Sequence, residues 1–222
     1  MRGNQRRSKP WRLFWLLLAA AGVLYYVNQY VAPTIAPLGV QTPTPTRSAM
    51  SHAEEGAAFT ATGKFERAVA AYHRAIETDP RNLDYYLALT RVQLYAADYN
   101  GALDSVAGAL LLNSDSALAY AFRGRALSFL PDRAADAESD ADAEGEILKA
   151  LQLNPGLPEA LAFYAEILAD QGSWEPAADN ARQALALAPN LLEARLAMAY
   201  VFESTGNYDE AIAEYENAQS IN

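Results

Sequence analysis

A chain of 222 residues has room for one domain of ordinary size and an appendage. Apolar residues make up 51% and cysteine is absent, which suits a helical protein with a real core and excludes disulfides, thiolate metal sites and cysteine nucleophiles. The net charge of −10 is unevenly spread: Arg2, Arg6, Arg7, Lys9 and Arg12 crowd the first twelve residues, whereas 27 acids face 11 bases from residue 49 onward. That balance of −16 repels phosphate backbones and argues against a nucleic-acid partner.

The first predicted element is an apolar helix over residues 11–31, following a basic tail at 1–10. Leu13 to Val27 carries no charge, and the only clearly polar residues between Trp11 and Val31 are Arg12, Asn28 and Gln29. At ~1.5 Å per residue this stretch is long enough for the ~30 Å bilayer core. Trp11 and Trp15 stand at one end and Tyr25, Tyr26 and Tyr30 at the other, where amphipathic rings meet the two interfaces. Its Leu, Val and Phe residues contribute about −3 to −5 kcal/mol towards insertion. A cleaved leader is the competing reading, but cutting after Ala21 leaves only Leu13 to Leu18 as an apolar core, so a signal-anchor is expected. The basic tail then stays in the cytoplasm, and the rest of the chain lies outside an inner membrane.

Residues 32–48 (APTIAPLGVQTPTPTRS) hold four prolines and almost no charge. Such a segment buries nothing and is expected to run extended, as a spacer.

From residue 49 the sequence repeats itself every 34 residues. With Pro80 as position 32 of a unit, position 20 is Ala68, Ala102, Ala143, Ala177 and Ala211, and position 27 is Ala75, Ala109, Ala150, Ala184 and Ala218. Position 8 is small in every unit: Gly56, Thr90, Gly124, Ala165 and Ala199. Gly63, Gly172 and Gly206 fall at position 15, an aromatic follows at Phe65, Tyr99, Trp174 and Tyr208, and Pro80, Pro155 and Pro189 close three units. Small side chains at fixed spacing let two antiparallel helices approach closely, while Phe59, Leu127, Leu168 and Phe202 fill the remaining space.

This pattern resembles the tetratricopeptide-repeat family over residues 49–222. The resemblance implies an all-α, right-handed α-solenoid of five helix–turn–helix units (49–82, 83–116, 117–157, 158–191 and 192–222), preceded here by a single transmembrane helix. The third unit is seven residues too long, with the excess around Pro131 to Asp142. The fifth stops at Asn222, one residue before the expected proline, with no polar capping helix beyond it. Three readings follow from that end: a longer natural chain to which this is an accessory module, a partner, or a second copy meeting the uncapped repeat.

No catalytic constellation emerges, so an enzyme is not expected. His52 and His73 have no paired acid at ligand spacing, and neither a G-x-S-x-G turn nor a Gly-rich phosphate loop occurs. Asp140, Asp142, Glu144, Gly145 and Ile147 imitate the start of a calcium loop, but Leu151 stands where a bidentate glutamate is needed. No cofactor or metal is expected.

Function is therefore sought in the family's concave groove, which receives peptides or helices through first-helix positions 2, 5, 9, 12 and 13. The resemblance places there Arg91, Tyr95, Arg125, Phe129, Glu159, Glu166, Tyr200 and Glu203, with Asp84 and Glu193 sharing position 2 with Glu159. An Arg/aromatic half able to hold a carboxylate beside an apolar anchor is expected to precede an acidic half. The family's Lys/Asn clamp for chaperone tails is not matched, since Ala53, Ala57 and Leu87 occupy its places.

Overall fold

A computed structural model describes residues 10–31, 47–130 and 143–221. The basic residues Arg2, Arg6, Arg7 and Lys9, the segment 32–46 and the insertion from Pro131 to Asp142 lie outside the described residues. The described residues contain eleven α-helices and no strand, and the chain divides into two compact units at Thr46/Arg47.

The first unit contains α1 (Pro10–Tyr26), which continues as a π-helical segment through Val27–Val31. Together they run roughly 30 Å, and Leu13–Tyr30 is long and apolar enough to cross a membrane. Trp15 meets Trp11 and Phe14 edge to face near one end, and the Tyr26 and Tyr30 rings lie 5.1 Å apart near the other.

The second unit is a row of helix pairs: α2 (Ala49–Thr60) with α3 (Phe65–Thr78), α4 (Leu83–Tyr95) with α5 (Tyr99–Leu112), α6 (Ala117–Ser128) with α7 (Ala143–Leu153), α8 (Pro158–Asp170) with α9 (Trp174–Leu187), and α10 (Leu192–Ser204) with α11 (Tyr208–Gln219). Each first helix packs on its own second helix, and each second helix packs on the first helix of the pair that follows it. The side chains of Ser48, Asn82, Asp98 and Ser116 accept from free backbone N–H groups at their helix starts, satisfying donors that the helix itself leaves open.

The turns inside the first, second, fourth and fifth pairs share one construction. The N–H groups of Lys64, Asp98, Ser173 and Asn207 reach back to the carbonyls of Phe59, Gln93, Leu168 and Phe202, all at position 11. This six-to-one bond needs a left-handed residue just before the donor. Gly63, Gly172 and Gly206 supply it, and in the second pair Ala97 does so with φ 56°.

The repeating alanines explain the close approach. Those at positions 20 and 27 are buried except Ala143, the first residue of α7, which is half-buried. At position 8, a Cβ on Gly56 would stand 2.8 Å from the Tyr72 ring, and one on Gly124 would stand 2.6 Å from Ile147 Cγ1. In these two pairs position 8 is glycine because position 24 of the facing helix already fills the space. One core cluster joins Val106 and Ala109 to Phe122, Ile147 and Phe163, so three successive pairs share it. Stability therefore resides in the interfaces between pairs as well as within them.

Candidate functional site

The candidate residues lie on the first helices of four pairs. Arg91 and Tyr95 are one turn apart on α4, Arg125 and Phe129 one turn apart at the end of α6, Glu159 and Glu166 two turns apart on α8, and Glu193, Tyr200 and Glu203 lie along α10. Spacings of four and seven put such residues on one helix face.

The wall they form curves until distant pairs meet. Arg91 lies 2.5 Å from Glu159 and 3.4 Å from Glu193, and the Tyr95 hydroxyl donates to Glu193 at 2.9 Å. Helix α4 thus reaches across to α8 and α10. One step along, Arg125 is ion-paired with Glu166, and its guanidinium lies 4.7 Å from the Phe129 ring centre and 5.2 Å from that of Phe163. Phe129 stacks on Tyr99 at 4.5 Å with the rings 9° from parallel. The expected division into an Arg/aromatic half and an acidic half is therefore replaced by interdigitation, because curvature folds one half onto the other. Carboxylates from the chain itself already occupy both arginines.

Tyr200 and Glu203 engage different partners. The Tyr200 hydroxyl donates to Asp170, and Glu203 accepts from Tyr215 of α11 at 2.7 Å. They form a second polar patch beside the first cluster.

Electrostatics follow from burial. Burial is the largest single influence on Arg91 and would lower its pKa, yet Glu193, Tyr95 and Glu159 outweigh it and the net shift is upward. Burial and the nearby Glu193 carboxylate push Tyr95 well above the usual phenol range. Burial also raises Glu166, with Arg125 opposing. The bond to Asp170, together with burial, pushes Tyr200 up to about 12.

Between these side chains lies a pocket of about 340 Å³, walled by Phe65, Leu94, Tyr99, Phe129, Phe163 and Leu196 and edged by Arg125, Glu166 and Glu193. Several of its residues went unassigned at the level of sequence. Tyr99 was legible only as the recurring turn aromatic, yet it stacks against the groove. Phe163 shares its register with Phe122, and the two rings lie 6.4 Å apart. Glu193 was one of three acids at position 2, but it is the residue that both Arg91 and Tyr95 converge on.

The tetratricopeptide-repeat family model matches residues 192–222, the span of the fifth unit. No curated protein matches the chain. Among solved structures, a thermophilic tetratricopeptide-repeat protein of Thermus thermophilus is 24% identical with a TM-score of 0.63, covering 78% of this chain and 91% of that one. PilW, described as a widely conserved type IV pilus biogenesis factor, is 21% identical with a TM-score of 0.54, covering 78% and 77%. Pseudomonas aeruginosa pilF is 20% identical with a TM-score of 0.50, covering 78% and 76%. At these identities the likeness speaks for fold alone. The last helix pair is thus a tetratricopeptide repeat by sequence, and the chain from Arg47 onward is a tetratricopeptide-repeat solenoid by fold.

Proposed function

We propose that this chain is a membrane-tethered scaffold whose curved inner wall receives an extended or helical segment of a protein partner. Its parts are a cytoplasmic tail at 1–10, a spanning signal-anchor at 11–31, a spacer at 32–48 and a five-unit solenoid at 49–222 outside the inner membrane. The binding residues are Arg91, Tyr95, Arg125, Phe129, Glu159, Glu166, Tyr200 and Glu203. One observation carries the reading: an aromatic pocket opens on the wall built by the first helices, and charged groups held by internal partners fix its rim. Aromatic and Arg side chains gathered around a preformed apolar hollow have the composition of interface hot spots. The apolar helix with aromatic residues at both ends, behind a basic tail, supports the tether and its direction.

Site-specific photo-crosslinking of the full chain in cell membranes tests the groove. A benzophenone amino acid at Phe129, 45% exposed in the pocket wall, is expected to give discrete protein adducts; one at Leu111, 90% exposed on a second helix, is not. Equal adducts at both sites, or adducts only at Leu111, would contradict the assignment.

A second reading is self-association through α11, favoured by the exposure of Tyr208 and Ile212 on that last helix. Light scattering of the detergent-solubilised chain at rising concentration distinguishes it, since a constant monomer mass rules it out.

A further inference from the structure

We propose that the pocket beside Glu193 takes a lysine or arginine side chain of the partner segment, presented next to an apolar residue. This rests on the groove reading above and names the chemistry of its occupant. Glu193 is only 5% exposed. Its Oε1 accepts from Tyr95 and faces Arg91, but its Oε2 is buried and receives no hydrogen bond among the described residues. A buried carboxylate oxygen without a donor is costly, and a ligand that brings one relieves that cost. Arg91 Nε is also without an acceptor, but it already stands 3.4 Å from Glu193 Oε1. Glu193 borders both the aromatic pocket and the adjoining gap lined by Ala61, Tyr72 and Asn190.

Charge points the same way. Arg91 and Arg125 face Glu159, Glu166 and Glu193, which leaves one negative charge in excess at the cluster. A partner carboxylate would add to that excess and would have to displace an internal acid from either arginine, whereas a cation neutralises it. The walls suit a cation carried on a long stem. Methylene groups can lie along Phe65, Tyr99, Phe129 and Leu196 while the charged head reaches the acid. A volume of about 340 Å³ accommodates a side chain or two.

The test pans a random dodecapeptide phage library against the full chain in detergent. Selected clones are expected to carry Lys or Arg beside Leu, Ile, Phe or Trp, with the basic residues enriched at least threefold over acids. A selected peptide should bind at least tenfold more weakly when its lysine becomes norleucine, and at least tenfold more weakly to Glu193→Gln, whose folding is checked by its helical circular dichroism. Enrichment of acidic or neutral peptides, or indifference to norleucine, overturns the proposal. Loss of binding with Phe129→Ala but not with Glu193→Gln or norleucine rejects the cation site and keeps the groove. Binding unaffected by all three changes, or no selection above bare beads, counts against the groove reading itself.

Discussion

At Ala97 the chain does with alanine what three sister turns do with glycine. Its φ of 56° places a Cβ in the left-handed region, at a cost of roughly 1–2 kcal/mol. Glycine would remove that cost but lose about 0.5–1 kcal/mol to its freer unfolded chain. Ala97→Gly is therefore expected to stabilise the solenoid by about 0.5–1 kcal/mol, read as a rise of a few degrees in the melting midpoint. Gly124 is the opposite case. An added methyl there meets both Ile147 and the Ala143 carbonyl, and backbone cannot swing aside. Gly124→Ala should cost about 1–3 kcal/mol in urea unfolding. Gly156→Ala, with nothing nearer than 3.8 Å, should stay within about 0.5 kcal/mol. These small-residue sites were legible in the sequence because helix contact is local: position 8 meets position 24 inside one unit, and the period exposes both. Ala97 was not read as a turn residue, since alanine carries no such signature and only the backbone shows the strain.

Between elements, the ion pairs decide more than their number suggests. Glu166 is largely buried against Arg125, so removing the arginine leaves an uncompensated carboxylate. Arg125→Met is expected to cost about 3–5 kcal/mol, and Arg125→Met/Glu166→Met to recover most of that loss in chemical unfolding. A tyrosine pairing adds an alkaline limit. The Tyr200 phenol is bonded to Asp170 and the Tyr215 phenol is partly buried against Glu203; both are pushed up to about 12, against about 10 in an unfolded chain. Above pH 10 the unfolded chain releases protons that the folded chain still holds, so stability is complete below pH 10 and drains as pH climbs towards 12. The urea midpoint should fall across that window, and less steeply in Tyr200→Phe/Tyr215→Phe. None of these partnerships was legible from the repeat, which places residues on a face but does not say which face meets which.

Across the whole solenoid, curvature accumulates from small rotations between neighbouring pairs, and no single position in the sequence encodes it. That is why the candidate residues were placed on the inner wall while their pairing was missed: Arg91 and Glu193 are 102 residues apart, yet their side chains stand 3.4 Å from each other. The inner wall is thus a surface already assembled before any partner arrives, with Glu193 tying the second pair to the fifth. Preorganisation of this kind lowers the ordering cost of binding. The absence of cysteine allows a direct test, because spin labels at introduced cysteines meet no background. Labels at Ala61 and Asn190, which line one gap between the first and last pairs, report whether the wall is closed. Pulsed electron–electron resonance on the full chain should give a single narrow distance that lengthens and broadens in Glu193→Ala. A broad distribution in the wild type, unchanged by that substitution, would contradict a preassembled wall.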